Sequence, residues 1–183
     1  MTSLQILAEQ VGASERTLRR AVNAGALRAE RTSPRKLQMS TAEKRFVRAS
    51  WPMLAKLREV LRTEHNVRFA LLFGSAARGD DSEDSDLDIL VEMRDSSFDR
   101  QLDLAIKLGR LLGREIDLVD FAQAESNADL LASAIGEGRV IVDRDGRWPA
   151  MKAREQDLIR RAEVERSKQV SSALAAIDRM LER

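Results

Sequence analysis

The 183-residue chain has no cysteine, one histidine (His65), three prolines and nine glycines. Without cysteine there is no disulfide and no thiolate metal site, so a bound metal must take oxygen ligands, His65 apart. The same absence fits a cytoplasmic protein. No apolar run approaches the ~18 residues that a membrane span requires. The opening Met-Thr-Ser-Leu-Gln lacks the charged-then-apolar pattern of a signal peptide. With 43% hydrophobic residues, the chain is expected to fold as one ordinary domain plus a small one, with no membrane partner.

What the chain does have is an uneven distribution of charge. Residues 1–63 carry 13 Lys/Arg against 5 Asp/Glu, net +8, whereas residues 64–150 carry 10 against 19, net −9. A basic first third favours polyanions, and an acidic middle repels them unless it binds cations. Two functions in one chain are therefore expected.

The basic segment reads as a winged helix-turn-helix. Thr2-Ser3-Leu4-Gln5 and Ser40-Thr41-Ala42-Glu43 are capping boxes, and Ser14 can cap a second short helix after Gly12. Two short helices around a glycine, closed by Asn23-Ala24-Gly25, give the helix-turn-helix outline. A turn at Thr32-Ser33-Pro34 suggests a small hairpin, or wing. If residues 14–22 form the recognition helix, Arg16, Arg19 and Arg20 face the major groove of double-stranded DNA, and Arg35 and Lys36 meet phosphates from the wing. The next helix carries Phe46, Val47, Trp51, Leu54, Leu57 and Leu61 on one side, with Pro52 either kinking it or starting a new one. His65 reads as a surface residue at a helix end, and Trp51 and Trp148 as packing or interdomain residues.

The acidic segment alternates strand and helix. Strands are expected at 68–73, 86–92, 114–119 and 139–142, and helices from Ser75, over 97–112 and over 127–136. The 97–112 helix is expected to turn Leu102, Ala105, Ile106, Leu108 and Leu112 inward. Residues 151–183 hold no Gly or Pro and end in an amphipathic stripe, Val170, Ala173, Leu174, Ile177, Met180 and Leu181. Such a helix seeks a surface, in a homodimer or on a partner.

The most informative stretch lies between Leu72 and Val91. An apolar strand ends in Gly74-Ser75, and a second begins with Asp86 and Asp88 threaded into it. Burying a bare carboxylate costs several kcal/mol unless its charge is compensated. On a strand, positions i and i+2 share a face, so Asp86 and Asp88 converge. A divalent metal is the simplest compensation, with Mg2+ or Mn2+ suited to hard oxygen ligands. Gly74 lets the backbone approach a ligand, Ser75 offers a hydroxyl and N–H groups to an anion, and Arg78 can screen phosphate charge. Asp117, between Ile116 and Leu118, reads as a third acid in a buried run. It would either complete a two-metal site or serve as general base. Asp80, Asp81, Glu83 and Asp84 read as a solvated loop.

Gly74-Ser75, Ala77-Arg78-Gly79, Ser85-Asp86, Asp88 and Val91 resemble the signature of the minimal nucleotidyltransferases, within the DNA polymerase β-like nucleotidyltransferase superfamily, and Asp117 falls where that family places its third acid. The resemblance spans roughly residues 66–143. It implies a mixed sheet with flanking helices and transfer of a nucleoside monophosphate from an NTP, with ATP expected, to a hydroxyl. Many members are antitoxins that modify a partner HEPN toxin, and others modify small molecules such as aminoglycosides. The stretch Ala8 to Arg20 is similar to the helix-turn-helix of bacterial regulators of the MerR type. The expected whole is α+β: a winged helix-turn-helix with its connecting helix (1–63), a nucleotidyltransferase domain (64–147) and a C-terminal helix (148–183). The rival expectations are a catalytically inactive NTP-sensing regulator and a small-molecule nucleotidyltransferase.

Overall fold

The structure is a computed structural model that describes residues 3–33, 36–82 and 85–181. It opens with two short helices, α1 (Ser3–Gln10) and α2 (Glu15–Asn23). Ser14 caps α2, its Oγ accepting the Thr17 N–H at 3.0 Å, which satisfies an otherwise orphaned donor. Thr2, the expected cap of α1, lies outside the described residues, as does Arg35 of the wing. An antiparallel hairpin follows, β1 (Glu30–Ser33) and β2 (Lys36–Gln38).

Helix α3 (Thr41–Thr63) runs unbroken through Pro52, so no new helix begins there. A proline in a helix removes one backbone hydrogen bond, and the apolar side of α3 holds the helix together across it. Phe46, Val47, Trp51, Leu54, Leu57 and Leu61 are all buried, as their spacing predicts. His65, just beyond the helix end, is exposed.

The centre is a mixed four-stranded sheet of β3 (Val67–Phe73), β4 (Leu87–Met93), β5 (Ile116–Asp120) and β6 (Arg139–Asp143), in the order β5-β4-β3-β6. Strand β3 runs antiparallel to both β4 and β6. A five-residue helix, α4 (Gly74–Arg78), makes the turn from β3 towards β4. Strands β4 and β5 are parallel, and a parallel pair needs a crossover connection; α5 (Phe98–Leu112) supplies it. Helices α6 (Phe121–Glu125) and α7 (Ala128–Glu137) lead to β6, and α8 (Arg147–Ala153) and α9 (Glu155–Leu181) complete the described chain.

Strand alternation divides the core between the two faces of the sheet. Ala70, Leu72, Leu87, Ile89 and Val91 meet α3 and α5, and this core continues without a break to Leu4, Leu7, Leu18 and Leu27. Phe69, Leu71, Phe73 and Leu90 meet Phe121, Leu131, Ile135, Met151 and Leu158 on the other face. Trp148 is half-buried against this second core.

Two apolar assignments change. In α5 the buried line is Leu104 and Leu108, whereas Leu102 and Ile106 are 45% and 43% exposed. The helix carries two i,i+4 apolar lines about half a turn apart, and the sheet takes the one that includes Leu104. In α9, Leu158 and Ala162 are buried, but Val164, Val170, Leu174 and Ile177 face solvent. The amphipathic stripe thus exists without a covering surface in the described chain.

Of the capping box Ser40-Thr41-Ala42-Glu43, the Ser40 half forms, with Oγ accepting the Glu43 N–H at 3.1 Å. The Glu43 carboxylate turns inward instead. It accepts both terminal nitrogens of Arg139 (2.7 and 3.0 Å) and the Arg28 N–H (2.9 Å). Both side chains are at most 5% exposed. Removing one partner of a buried pair strands the other charge, whereas removing both often costs little. Arg139→Met is therefore expected to lower stability by about 3–5 kcal/mol. The double variant Glu43→Leu/Arg139→Met should recover most of that loss in urea unfolding.

Candidate active site

The candidate site forms where β3 ends and β4 and β5 begin. Phe73 lies opposite Asp88 across β3 and β4, and Asp88 lies beside Asp117 across β4 and β5. Neighbouring strands are ~4.8 Å apart and adjacent residues share a face, so Asp88 and Asp117 project side by side next to the Gly74 turn. Asp86 stands just before β4 on the same approach.

Gly74 fits this position for two physical reasons. Its φ is +69°, where a side chain is strained, and a Cβ there would overlap Asp88 Oδ2. The glycine turn and the carboxylate are therefore interlocked. The first turn of α4 carries half-buried Ser75, and its last residue is the exposed Arg78.

The electrostatics are those of an uncompensated acidic cluster. Burial pushes the Asp88 carboxyl above the usual carboxylate range, and the neighbouring charges of Asp117 and Asp86 push it further, with Arg78 opposing. The nearby cations are otherwise engaged. Arg78 bonds Asp80 at 3.1 Å and Glu137 at 2.5 Å, and Arg114 bonds Asp81 at 2.6 Å. Among the described residues, none of Asp86, Asp88 and Asp117 joins an ion pair with a basic side chain.

The expected residues are thus brought together in part. Asp88 is half-buried, but Asp86 and Asp117 are exposed. Asp117 is not the acid in a buried run that its neighbours suggested, because β5 is an edge strand and Ile116 and Leu118 are themselves half-buried. No three acidic or histidine side chains among the described residues close into a metal cage. The donor set nevertheless fits a hard cation. Mg2+ is commonly held by one or two carboxylates together with substrate phosphates and water, and mutual repulsion at Asp88 is what such a charge relieves.

Two residues of the site had escaped the sequence reading. Arg114 donates from Nε to Ser85 O at 2.8 Å and pairs with Asp81, which ties the acidic loop to the start of β5 and so places Asp86. Asp80 and Asp81 are accordingly ion-paired, while Glu83 and Asp84 lie outside the described residues. Arg139 donates from Nε to Ala77 O at 2.6 Å and so touches α4 from behind. Its signal in the sequence was an arginine opening the otherwise apolar Val-Ile-Val run. A separate cleft at the far end of the sheet is lined by Glu64, Asp95, Arg100, Asp103 and Lys107, of which Arg100 pairs with Asp95 and Lys107 with Glu64.

Residues 55–147 match the family described as polymerase beta, nucleotidyltransferase. The chain belongs to that family. The matched span covers β3 to β6 and every residue of the acidic site. The chain is also similar to relatives from Methanocaldococcus jannaschii whose names propose protein adenylyltransferase activity. One is 39% identical over 70 residues (37% of this chain, 70% of the relative), and another 37% over 68 residues (37% and 69%). Two solved structures share the fold. A toxin–antitoxin crystallised with AMP-PNP has a TM-score of 0.55 at 23% identity, covering 66% of this chain and 98% of that one. A complex of a tri-AMPylated Shewanella oneidensis HEPN toxin with an MNT antitoxin has a TM-score of 0.52 at 20% identity, covering 68% and 98%. The chain is accordingly a nucleotidyltransferase, built on a four-stranded mixed sheet with flanking helices.

The raised pKa of Asp88 has a testable sign. The fold binds the protonated form more tightly than the unfolded chain does, so ionisation costs stability above the folded pKa and nothing below the unfolded one. Asp88→Asn should melt above the parent at neutral pH in the absence of divalent ions. Its advantage should vanish as pH falls through and below the carboxylate range.

Proposed function

We propose that this nucleotidyltransferase is a Mg2+-dependent protein adenylyltransferase in an antitoxin-like regulator that also binds DNA. The acceptor hydroxyl oxygen bonds to the α-phosphorus of ATP, the bond to the β-phosphate oxygen breaks, and pyrophosphate leaves. The acceptor's proton passes to a base, for which Asp117 is the candidate. Asp86 and Asp88 would hold the cation, with Asp117 as third ligand if it is not the base. When bound, Mg2+ offsets phosphate charge and steadies the departing pyrophosphate. Gly74 and Ser75 would face the phosphates, with Arg78 adding positive charge beside them. The observation that carries this reading is the interlock of Gly74 with Asp88 beside unpaired like charges, in the span matched to the family.

A protein acceptor is supported by the names of the archaeal relatives, and a HEPN-type toxin by the complexes whose fold this chain shares. The solvent-facing stripe of Val170, Leu174 and Ile177 on α9 gives such a partner, or a second copy in a homodimer, a surface to cover. We place the protein in the cytoplasm on its lack of cysteine; among the described residues no helix is long and apolar enough to cross a membrane.

For DNA binding, α2 would be the recognition helix and the β1–β2 hairpin the wing. Arg16 and Arg20 are exposed one turn apart, while Arg19 is ion-paired with Glu15 at 2.7 Å. Lys36 is exposed on β2. These charges would supply affinity that falls steeply with salt.

Labelled ATP with Mg2+ and cell extract should mark a protein, and Asp86→Ala/Asp88→Ala should abolish the mark while sparing DNA retention. Label on a small molecule would point to a different acceptor class, and binding of ATP without transfer would leave an NTP sensor. Arg16→Ala/Arg20→Ala should weaken a DNA gel shift and reduce its salt slope by about two. An unaltered shift and slope would remove α2 from the interface.

A further inference from the structure

Arg139 is the largest fully buried side chain among the described residues, and every polar nitrogen of its guanidinium is engaged. Nε donates to Ala77 O at 2.6 Å, Nη1 to Glu43 Oε1 at 2.7 Å and to Ala26 O at 3.3 Å, and Nη2 to Glu43 Oε2 at 3.0 Å. Its Cζ stands 3.3 Å from the centroid of the Phe46 ring. The same ring lies against the end of α4, where a Cβ on Gly79 would come within 2.9 Å of Phe46 Cδ2. One planar fork therefore joins four places in the chain: the turn after α2, the first turn of α3, the last turn of α4 and the first residue of β6. A guanidinium has the fixed geometry for this, and an ammonium does not.

Helix α4 is only five residues long and carries both Ser75 and Arg78. A helix so short has little stability of its own, so its position depends on what grips it. Gly74 is locked against Asp88 at one end. At the other end the grip is Arg139 on Ala77 O, with Arg78 bonded to Glu137. Arg28, from the N-terminal segment, also donates to Glu137 O.

We infer that Arg139 is a positioning residue for the nucleotide turn, holding α4 through Ala77 O while Glu43 of the N-terminal segment holds Arg139. The role rests on the reading of Gly74, Ser75 and Arg78 as the nucleotide side of the site. It makes Ala26, Arg28, Glu43 and Phe46 part of the transferase apparatus, so that the N-terminal segment does more than carry a second activity. Arg139 touches no substrate; it fixes where α4 presents its groups to one.

The test is titration calorimetry of ATP with Mg2+ into the full chain and three variants, with thermal melts alongside. Glu43→Leu/Arg139→Met removes both buried charges and leaves Ala77 O without its donor. Arg139→Lys keeps a charge for Glu43 but only a point donor. Leu104→Ala loosens the core on α5, beside Met93 at the end of β4 away from Asp88. The double variant should melt close to the parent yet bind ATP about tenfold more weakly, since small misplacements of positioning groups cost that much or more. Arg139→Lys should lose less, and Leu104→Ala should keep native affinity. Native affinity in the folded double variant, or in Arg139→Lys if the double variant does not fold, overturns the positioning role. An equal loss in Leu104→Ala overturns it too, by showing that general loosening is enough. Failure of the unaltered chain to bind ATP would instead remove the nucleotide reading itself, and this role with it.

Discussion

The buried pair of Glu43 and Arg139 is the constraint on which the rest of the arrangement depends. Taking two ions out of water costs several kcal/mol each, and their attraction repays this only when the remaining hydrogen-bonding capacity is filled. That condition is met, because Ala26 O, Ala77 O and the Arg28 N–H complete the set. Burial draws the Arg139 pKa down while Glu43 draws it back up. A buried ion pair is weak evidence for net stability, but it demands one geometry. The turn after α2, α3, α4 and β6 can meet in only one relative placement if all these bonds are to form.

The acidic site follows the opposite logic. Where Glu43 is fully matched, Asp88 is set beside two further acids and, among the described residues, forms no ion pair with a basic side chain. The fold holds it there through the β3–β4 register and the Gly74 turn, at a cost in stability. Such strain is a recurrent mark of functional sites. The arginines around the cluster bind the loop acids Asp80 and Asp81 instead, which leaves the cluster itself open to an added cation.

Local signals were the readable ones. Ser14 caps α2, the apolar side of α3 is buried residue for residue, and the strand that carries Asp88, with Asp86 just before it, follows the Gly-Ser turn in the expected order. Each depends on residues within a few positions of one another. The misses were of two kinds. Leu102 and Ile106 have helical spacing equal to that of Leu104 and Leu108, and the packing partner, which the pattern does not contain, chooses between them. Asp117 looked buried because its neighbours are apolar, but an edge strand has a neighbour on one side only. Glu43 and Arg139 are 96 residues apart. A capping box and a strand opening each explained one of them separately, and nothing local links the two.

The hydrogen bond from Val140 N to Gly25 O, at 3.1 Å, ties the turn after α2 to the last strand of the sheet. Translation makes these groups in a fixed order, and Gly25 is synthesised 115 residues before its donor. Glu43 likewise waits for Arg139. Until β6 emerges, the turn after α2 carries an acceptor without its donor and Glu43 has the Arg28 N–H but not Arg139, although the apolar faces of α2 and α3 can already associate. Long-range closure is the slow part of folding. The contacts that α2 and α3 make with β6 thus wait on that closure, and the Gly74 turn, gripped by Arg139 through Ala77 O, depends on the same closure.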